Sequence, residues 1–432
     1  MADEAAPRLL IVDQGEQYAK EYILRRLAAL GYRMTLLQWN SAVWAEELFD
    51  RVIVSRLTNW GYLAETLRAE HDRAPFAGAF CYNEGALPAV DAITRLLGLP
   101  RLSRFDAESY RHKDRMRVAW EANGLPVPRY RVLYGPADAR IVCTWQFPVV
   151  LKPAAIMGSR GVLRLDSYAE LLEALPGALN TDMDIPFGGE LWTLTEAFNI
   201  PAVALVEEYV SGPEYSAEGV VIDGHYHLIG VTEKVLTAEP FFDEVGHVFP
   251  AAGLGTDGMA EIQELLQRAH DALGMCNGLT HTEFRISTRG PVLIELNARI
   301  AGDFIPAILD EVTGLDVVSL AARVACGVRI PPEDGLDNRS WSSAAAVTFL
   351  QCPPEAYGRH LTKASRPALP EGCEEVSSAW YVEPDGVLPS PWAAGTARIG
   401  HVVFRAPDPR TAREVLHILR AGVDLLYAER AP

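Results

Sequence analysis

The stretch HTEFRISTRGPVLIELNAR, residues 281–299, reads as two β-strands joined by a turn at Ser287–Gly290. Successive side chains of a strand point to opposite faces of a sheet. Glu295, Asn297 and Arg299 are therefore expected to share one face of the second strand. A strand face that carries an acid, an amide and an arginine in this order predicts a functional site rather than a plain core strand.

The two strands of this hairpin are expected to bring hard oxygen ligands together. If the hairpin is symmetric about residue 289, Glu283 lies directly across from Glu295, with Ile294 and Leu296 on the opposite face. Two carboxylates and the amide oxygen of Asn297 then converge on one point. Such ligands suit Mg²⁺, which typically binds one or two carboxylates together with substrate phosphates. The alternative is a solvated strand face whose charges pair across the strands.

A second candidate site lies in PVVLKPAAIMGSRGV, residues 148–162, where a buried strand delivers Lys152. The glycine-bearing segment that follows contains Gly158, Ser159, Arg160 and Gly161. Glycines let backbone N–H groups approach phosphate oxygens closely, and lysine or arginine neutralises the phosphate charge. The pattern differs from the GxxxxGK[ST] of P-loop NTPases. An ordinary glycine-bearing turn is the alternative.

A third candidate site lies in LVEEYVSGPEYSAEGVV, residues 205–221, which reads as two strands joined by a turn at Ser211–Pro213. The exposed backbone at Tyr209–Val210 is suited to pair with the edge of an adenine, and Glu214 is suited to accept ribose hydroxyls. The alternative is a plain β-turn whose acidic side chains face water.

The remaining sequence predicts an α/β protein of two to four domains, because domains usually run to about 100–200 residues. The first hundred residues alternate strand and helix patterns, the βαβ order of an open parallel sheet, with a helical stretch near Ala42–Phe49. A helix is predicted from Glu108 to Asn123. Pro176–Pro201 reads as a loop-bearing insertion and Pro331–Arg339 as a linker.

The charge balance of the chain bears on its partners. There are 39 Lys and Arg against 57 Asp and Glu, a formal net charge of -18. Nucleic acids and anionic membranes reward clustered basic residues, so neither is an expected partner of the whole chain, although one local basic pocket for a small anion stays open. No signal peptide or membrane span is expected, and six scattered cysteines without a CxxC pair fit a cytoplasmic protein.

At these motifs the chain resembles the ATP-grasp superfamily, over roughly residues 105–305. Lys113, in RHKDRMRVAWEANGLPVPRY, is similar to the family's first phosphate-binding lysine, and Lys152 to the second. Gly158–Gly161 resembles the mobile glycine-rich loop that covers the phosphates. The resemblance implies that Lys152, Arg160 and Arg299 take part in catalysis, with Arg299 stabilising the reacting oxyanion.

The same resemblance implies the rest of the nucleotide and metal site. Glu214 matches the ribose-binding acid. The adenine-binding hinge is implied at Glu207, Glu208 and Val210. The magnesium ligands are implied at Glu283, Glu295 and Asn297. The cofactors are then ATP and Mg²⁺, with two ions expected and Mn²⁺ able to substitute.

The family also implies a division of the chain into domains. Residues 1–105 would form the open parallel α/β domain that precedes the ATP-grasp region. Residues 106–330 would form that region, with a lid at about 130–210 followed by the sheet that binds nucleotide and metal. Residues 331–432 would form a small C-terminal α/β lobe. A homodimer is compatible with this family.

A narrower resemblance lies in FFDEVGHVFPA, residues 241–251. Its Glu244-x-x-His247 element before a proline is similar to the bacilysin-synthetase type of L-amino acid ligase. In that group the acid lies near the metals and the histidine lines the amino-acid pocket. Gly302 after Arg299 is also similar, whereas Asp303 stands where the best-known member has a bulky aromatic residue. These five residues are the expected substrate-binding set.

The expected activity is that of an ATP-dependent carboxylate–amine ligase acting on small molecules. It would join a carboxylic acid or amino acid to an amine or amino acid through an acyl phosphate and release ADP and phosphate. The alternatives are a biotin-carboxylase-like or purine-biosynthetic enzyme, a small-molecule kinase, or a nucleotide-binding regulatory module without catalysis.

Overall fold

The computed structural model describes residues 6–15, 17–39, 43–56, 59–105, 107–156, 161–179, 203–237, 243–330, 341–390 and 397–428. Within these ranges the strands form a parallel N-terminal sheet, a small antiparallel sheet of four strands, a large antiparallel sheet and a two-stranded sheet. No helix in the described ranges is both long enough and apolar enough to cross a membrane.

The N-terminal sheet is open and parallel, in the order β3-β2-β1-β4. Its elements are β1 (Arg8–Val12), α1 (Gln17–Ala29), β2 (Arg33–Gln38), β3 (Arg51–Val54), α2 (Trp60–Arg73), β4 (Gly78–Phe80) and α3 (Leu87–Leu97). All five residues of β1 are buried, because helices cover both faces of a parallel sheet. A 3-10 helix, Glu84–Ala86, follows β4. The predicted α/β class and parallel N-terminal sheet are confirmed.

The small antiparallel sheet has the order β5-β8-β6-β7. Helix α4 (Lys113–Ala122) precedes it, and its own elements are β5 (Tyr130–Leu133), β6 (Val149–Pro153), β7 (Leu163–Leu165), α5 (Tyr168–Leu179) and β8 (Ala204–Glu208). Helix α5 packs Leu171, Leu175 and Ala178 against the sheet, one apolar stripe at helical spacing. We call this unit, residues 130–208, the lid sheet.

The large sheet is antiparallel and runs in the order β13-β12-β9-β10-β11-β14-β17-β16. Its strands are β9 (Glu214–Ile222), β10 (His225–Leu236), β11 (Glu244–Phe249), β12 (Gly278–Ser287), β13 (Gly290–Asn297), β14 (Ala344–Cys352), β16 (Glu374–Trp380) and β17 (Ala397–Ala406). The outer elements are α6 (Thr256–Leu273), α7 (Ile305–Thr313), α8 (Val317–Ala325), β15 (Leu361–Ser365), α9 (Pro409–Ala421) and β18 (Asp424–Tyr427). Strand β14, which follows residue 331, pairs with β11, which precedes it. The outer strands β14, β17 and β16 therefore belong to the same sheet as the strands before that residue. The division into domains stays a prediction.

Two helix predictions are corrected by the structure. The helix predicted from Glu108 begins only at Lys113, because the Lys113 N–H bonds to the Ala154 carbonyl of the lid sheet, at 2.9 Å, and His112 is extended. Near Ala42–Phe49 the described residues hold only a 3-10 helix, Glu46–Leu48. There the backbone and indole N–H groups of Trp44 bond to the loop after β1 rather than within a helix.

The predicted insertion and linker fall largely outside the described residues. Pro176 lies inside α5, so the first four residues of the predicted insertion are helical rather than loop. The rest of that insertion, from residue 180, and the predicted linker Pro331–Arg339 are outside the residues that the structure describes.

Candidate active site

A cleft lies between the lid sheet, the N-terminal unit and the face of the large sheet formed by β9 to β13. Five adjacent strands each contribute a charged side chain to this face. In spatial order these are Glu295 on β13, Glu283 on β12, Glu214 on β9, Lys234 on β10 and Glu244 on β11. The alternation of side chains along strands thus gathers charge on one face while apolar residues fill the other.

The β12–β13 hairpin has the predicted register at its functional end. Glu283 pairs directly with Glu295, as the sequence predicts. The prediction that Ile294 points away from the site is wrong, because a β-bulge follows Glu283 and Ile294 lines the cleft together with Glu295. The turn of the hairpin is not centred on residue 289 as the prediction assumes. The extra residue of the bulge compensates for this difference and re-aims its neighbours, so that Glu283 still pairs with Glu295.

The pair of carboxylates lies in a crowded, buried environment. Lys113 Nζ lies 2.9 Å from Glu295 Oε1 and donates to the Ile156 carbonyl, also at 2.9 Å. Burial lowers the pKa of Lys113, but Glu295 and Glu84 outweigh it and the pKa is raised. Burial raises the pKa of Glu295. The carboxylates of this corner therefore favour a neighbouring cation.

The side chain of Asn297 completes an oxygen cluster that fits a divalent cation. Asn297 is 3% exposed, and its Oδ1 has no hydrogen-bond partner within the described residues. A buried amide oxygen without a partner is costly, and a cation beside it removes that cost. Together with Glu283 and Glu295 it supplies the hard oxygen ligands that Mg²⁺ prefers. The residues present therefore fit the predicted metal.

Lys234 is the central cation of the cleft face, and the sequence analysis missed it. Its ammonium lies 2.8 Å from Glu214, 2.9 Å from Glu244 and 2.9 Å from Glu283. Burial lowers the pKa of Lys234, yet the three carboxylates raise it well above its ordinary value. One buried ammonium thus connects the predicted ribose, substrate and metal residues. A lysine in the strand pattern HLIGVTEKVL gives no sequence signal of this role.

His281 and Glu218 form a second buried pair that the sequence analysis missed. His281 Nδ1 lies 3.1 Å from both carboxylate oxygens of Glu218, and its Nε2 lies 3.3 Å from Glu283 Oε1. Burial lowers the pKa of His281, but Glu218 and Glu283 raise it to about 10. The imidazolium and the ammonium of Lys234 both contact Oε1 of the Glu283 carboxylate.

At the lid side of the cleft, Glu207 joins two buried cations. Lys152 Nζ lies 2.5 Å from Glu207 Oε2, and Arg117 Nε lies 2.7 Å from Glu207 Oε1. Burial alone would raise the pKa of Glu207, but the charges of Arg117 and Lys152 lower it. Burial lowers the pKa of Lys152 despite this partner. Both Lys152 and Glu207 line the cleft.

The predicted adenine hinge covers the end of β8, with Glu207 and Glu208, and the connection to β9, with Val210. Glu208 pairs with Arg289 at 2.5 Å, and the Val210 carbonyl accepts from Arg285 at 2.9 Å. Gly212 has a φ of 132°, and a Cβ there would lie 2.0 Å from the Ile286 carbonyl oxygen, so only glycine fits this crossing. Glu208 and Val210 both line the cleft.

The remaining predicted nucleotide residues divide into two groups. Glu214 lines the cleft and also pairs with Arg285 at 2.9 Å. Gly161 follows the lid strand β6 with a φ of 71°. Gly158, Ser159 and Arg160 lie outside the described residues.

Arg299 lines the cleft and is held by the N-terminal unit. Its guanidinium lies 3.0 Å from Glu84 Oε2 and also donates to the Ile300 carbonyl. Burial lowers the pKa of Arg299, but Glu84 raises it overall. Glu84 comes from the 3-10 helix after β4 and also lines the cleft. It was missed because nothing in YNEGAL marks the acid as functional.

The other predicted substrate residues are Glu244, His247, Gly302 and Asp303. Glu244, Gly302 and Asp303 line the cleft. Contrary to the prediction, His247 is not among the residues that line the cleft. Its ring is fully buried behind the carboxylates, with Nε2 at 3.4 Å from Glu244 and 3.5 Å from Asp303. Burial lowers the pKa of His247, but hydrogen bonds with Asp303 and Glu244 raise it overall.

Comparison with known proteins bears on this architecture. Residues 145–307 match the ATP-grasp domain family. The chain contains an ATP-grasp domain. A solved L-amino acid ligase from Bacillus licheniformis has the same fold, with a TM-score of 0.79 at 21% identity over 99% of this chain and 100% of that one. The predicted α/β ATP-grasp fold is thereby confirmed.

Two sequence relatives extend beyond the ATP-grasp domain itself. The protein y4rH of Sinorhizobium fredii, described as uncharacterized, is 29% identical over 98% of this chain and 84% of its own length. The alanine–anticapsin ligase of Bacillus subtilis is 28% identical over 70% of this chain. The chain spans 63% of the length of that ligase.

Residues of the cleft also come from outside the range that matches the ATP-grasp domain family. Glu84 precedes residue 145, and so does Lys113. Arg398, on β17, follows residue 307 and bonds to Asp303, which lines the cleft. The surroundings of the cleft therefore include residues from before and after the matched range.

Proposed function

We propose that this protein is an ATP-dependent carboxylate–amine ligase that forms an amide bond and releases ADP and phosphate. The observation that carries the proposal is the cleft itself, which joins an oxygen cluster suited to Mg²⁺ with Lys113, Lys152 and Arg299. The ligase names of two of the relatives, one acting on alanine and anticapsin and one on L-amino acids, support this reaction class.

We propose that the nucleotide binds between the lid sheet and the large sheet. Adenine would lie against the hinge at Glu207, Glu208 and Val210, and the ribose hydroxyls would bond to Glu214. Lys113, Lys152 and Arg160 would bind the phosphates, together with backbone N–H groups at Gly158, Ser159 and Gly161. Buried lysines suit this role because a phosphate can replace the carboxylate with which each is paired.

Glu283, Glu295 and Asn297 would hold magnesium, and a bound Mg²⁺ would neutralise charge on the phosphates. We propose two ions, for which Mn²⁺ can substitute. Lys234 and His281 would orient the Glu283 carboxylate through their contacts with its Oε1. Partners that orient the ligands of a metal in this way usually affect its affinity strongly.

The reaction would pass through an acyl phosphate. A carboxylate oxygen of the first substrate attacks the γ-phosphorus, and ADP leaves. The nitrogen of the amine then attacks the acyl carbon, loses a proton, and phosphate leaves. Arg299 is placed to donate to the oxyanion of the tetrahedral intermediate, and the loss of such a donor typically costs about 3–4 kcal/mol of barrier. Closure of the lid sheet would protect the acyl phosphate from water.

The substrates would bind where Glu244, Arg299, Gly302 and Asp303 meet, with His247 behind them. We further propose that the enzyme works in the cytoplasm on small molecules, without nucleic acid or membrane, and that a homodimer is its assembly. The acidic balance of the chain favours small-molecule partners over polyanions.

The experiment is a phosphate-release screen of paired amino acids, small acids and amines with ATP and Mg²⁺. A ligase is expected to release phosphate only when both substrates are present and to yield a product with the summed mass less one water. A kinase would instead keep the phosphate on its product. Phosphate release that needs bicarbonate and no amine would favour a carboxylating enzyme and overturn the proposal.

A further inference from the structure

Arg398 connects the outer part of the large sheet to the cleft. On β17, two strands away from β11, its two terminal nitrogens each lie 2.8 Å from one carboxylate oxygen of Asp303. It also donates to the Glu244 carbonyl at 2.9 Å, and its guanidinium lies 3.6 Å from the centroid of the Phe349 ring. Planar two-point binding of this kind fixes the direction of a carboxylate, which a lysine cannot do.

The turn that carries Asp303 needs such support. Asp303 and Phe304 are consecutive non-glycine residues with φ values of 51° and 59°, a conformation that L-residues rarely adopt. Arg398 binds the side chain of the first, and His401 stacks on the ring of the second at 4.0 Å. Both supports come from β17. This strand therefore determines how Gly302 and Asp303 face the cleft.

The Asp303 carboxylate has acceptor capacity beyond the hydrogen bonds that the described residues give it. An ionised carboxylate has about four lone-pair sites, of which Arg398 uses two and His247 one. The side chain is 29% exposed and lines the cleft. An apolar substrate group pressed against it would remove water without returning a hydrogen bond, whereas an N–H or O–H group would replace that water.

We propose that Asp303 selects a substrate amino acid whose side chain carries a hydrogen-bond donor, and that Arg398 is the positioning residue for this selection. The inference rests on the proposed ligase function, because it concerns the substrate of that same cleft. It adds a polar substrate class and a specificity role for a residue of β17, outside the ATP-grasp match at 145–307.

The test compares side chains of equal shape with and without a donor. Phosphate release is measured for ornithine against norleucine and for threonine against valine, each with the same second substrate. The wild type is expected to prefer the donor member by at least about tenfold in kcat/KM. Asp303→Leu should remove or reverse that preference. Arg398→Ala and Arg398→Lys should raise KM for the donor substrate about tenfold while leaving KM for ATP unchanged.

Arg405→Ala is the matched control. Arg405 lies on the same strand but pairs with Glu311 and Glu374, so its loss should leave both substrate ratios unchanged. Thermal unfolding checks that each variant folds. If Arg398→Ala does not fold, Asp303→Asn, which keeps the shape and loses the charge, is expected to lower the ornithine preference instead.

The outcomes separate this inference from the proposed function. Equal or better use of the apolar members by the wild type, or an unchanged ratio in the Asp303 variants, would overturn the inference and leave the ligase function standing. Absence of phosphate release with every substrate pair would overturn the ligase function, and the inference with it.

Discussion

The ammonium of Lys234 and the carboxylate of Glu283 lie 2.9 Å apart on the same face of the large sheet, although β10 and β12 are not adjacent strands. Strand β9 separates them and contributes Glu214 to the same ammonium. With Glu244 of β11, the cation on β10 contacts acids of three other strands, and it balances acids that the proposed chemistry needs close together. Removing it should affect both stability and the site.

Lys234→Met is expected to lower the free energy of unfolding by about 3–5 kcal/mol, because it leaves buried carboxylates without their counter-charge. Denaturant unfolding followed by circular dichroism measures this. The matched control is Lys363→Met, an exposed lysine on β15, which should change stability by less than about 0.5 kcal/mol. A Lys234 variant as stable as the wild type would show that Glu214, Glu244 and Glu283 do not depend on this ammonium.

Glu295→Gln is expected to abolish ADP formation while the protein stays folded, because it replaces a charged metal ligand by a weaker neutral one of the same shape. ADP release is measured over a Mg²⁺ titration, with unfolding curves alongside. Glu414→Gln, on the exposed face of α9, serves as the control and should keep full turnover. Near-normal turnover of the Glu295 variant at low Mg²⁺ would contradict the assignment of Glu295 as a ligand.

The sequence predicts the parts of this site that follow from local alternation. The pairing of Glu283 with Glu295 and the strand positions of Lys152 and Glu214 depend only on hydrophobic pattern and turn residues within short segments. Ile294 was misplaced because a bulge is one extra residue, and nothing in VLIEL distinguishes a bulged strand from a regular one.

The contacts that sequence reasoning missed are those between distant segments. Arg398 and Asp303 are in contact although they are 95 positions apart in the sequence, and Arg299 and Glu84 are in contact at a separation of 215. Such pairs depend on which strands become neighbours in the sheet, and a single sequence does not contain that information. The helix start at Lys113 was missed for a similar reason, since it is fixed by a hydrogen bond to the carbonyl of Ala154, which directly follows β6 of the lid sheet.

Arg299→Ala is expected to slow product formation by on the order of a hundred- to a thousandfold and to change nucleotide affinity far less, since the proposed role of its guanidinium is at the reacting oxyanion. Single-turnover product formation and the Kd for ATP are measured on the same protein. An equal loss of both quantities would contradict a role at the oxyanion. Arg410→Ala, at an exposed position of α9, is the matched control.

Glu244→Gln and His247→Ala are expected to alter the amino-acid preference through different routes. Glu244 lines the cleft, so its change should act directly on substrate affinity. His247 is buried behind it, so its change should act by releasing Glu244 and Asp303 from their hydrogen bonds. The phosphate-release profile over a panel of amino acids measures both. An unchanged profile in both variants would show that the substrate binds elsewhere in the cleft.

Asp310 is expected to make the stability of the protein depend on pH. Burial, with Asp316 and Glu311 nearby, raises the pKa of Asp310 from 3.8 to about 7, although a hydrogen bond from the Val317 N–H opposes this. Between pH 3.8 and 7 the folded protein keeps a proton that the unfolded chain has lost. The stability from this group is therefore fully present below pH 3.8 and is lost as the pH rises through 7.

Asp310→Asn removes that titration while its amide oxygen can still accept from the Val317 N–H. The variant is expected to be more stable than the wild type at pH 8 by about 2–4 kcal/mol, with a much smaller difference at pH 4. Denaturant unfolding at both pH values measures this, and Asp424→Asn, exposed on β18, should show no such pH-dependent gain. An Asp310 variant that loses stability at pH 8 would mean that Arg26 favours the ionised carboxylate more than burial disfavours it. The expected pH dependence of the stability would then have the opposite sign.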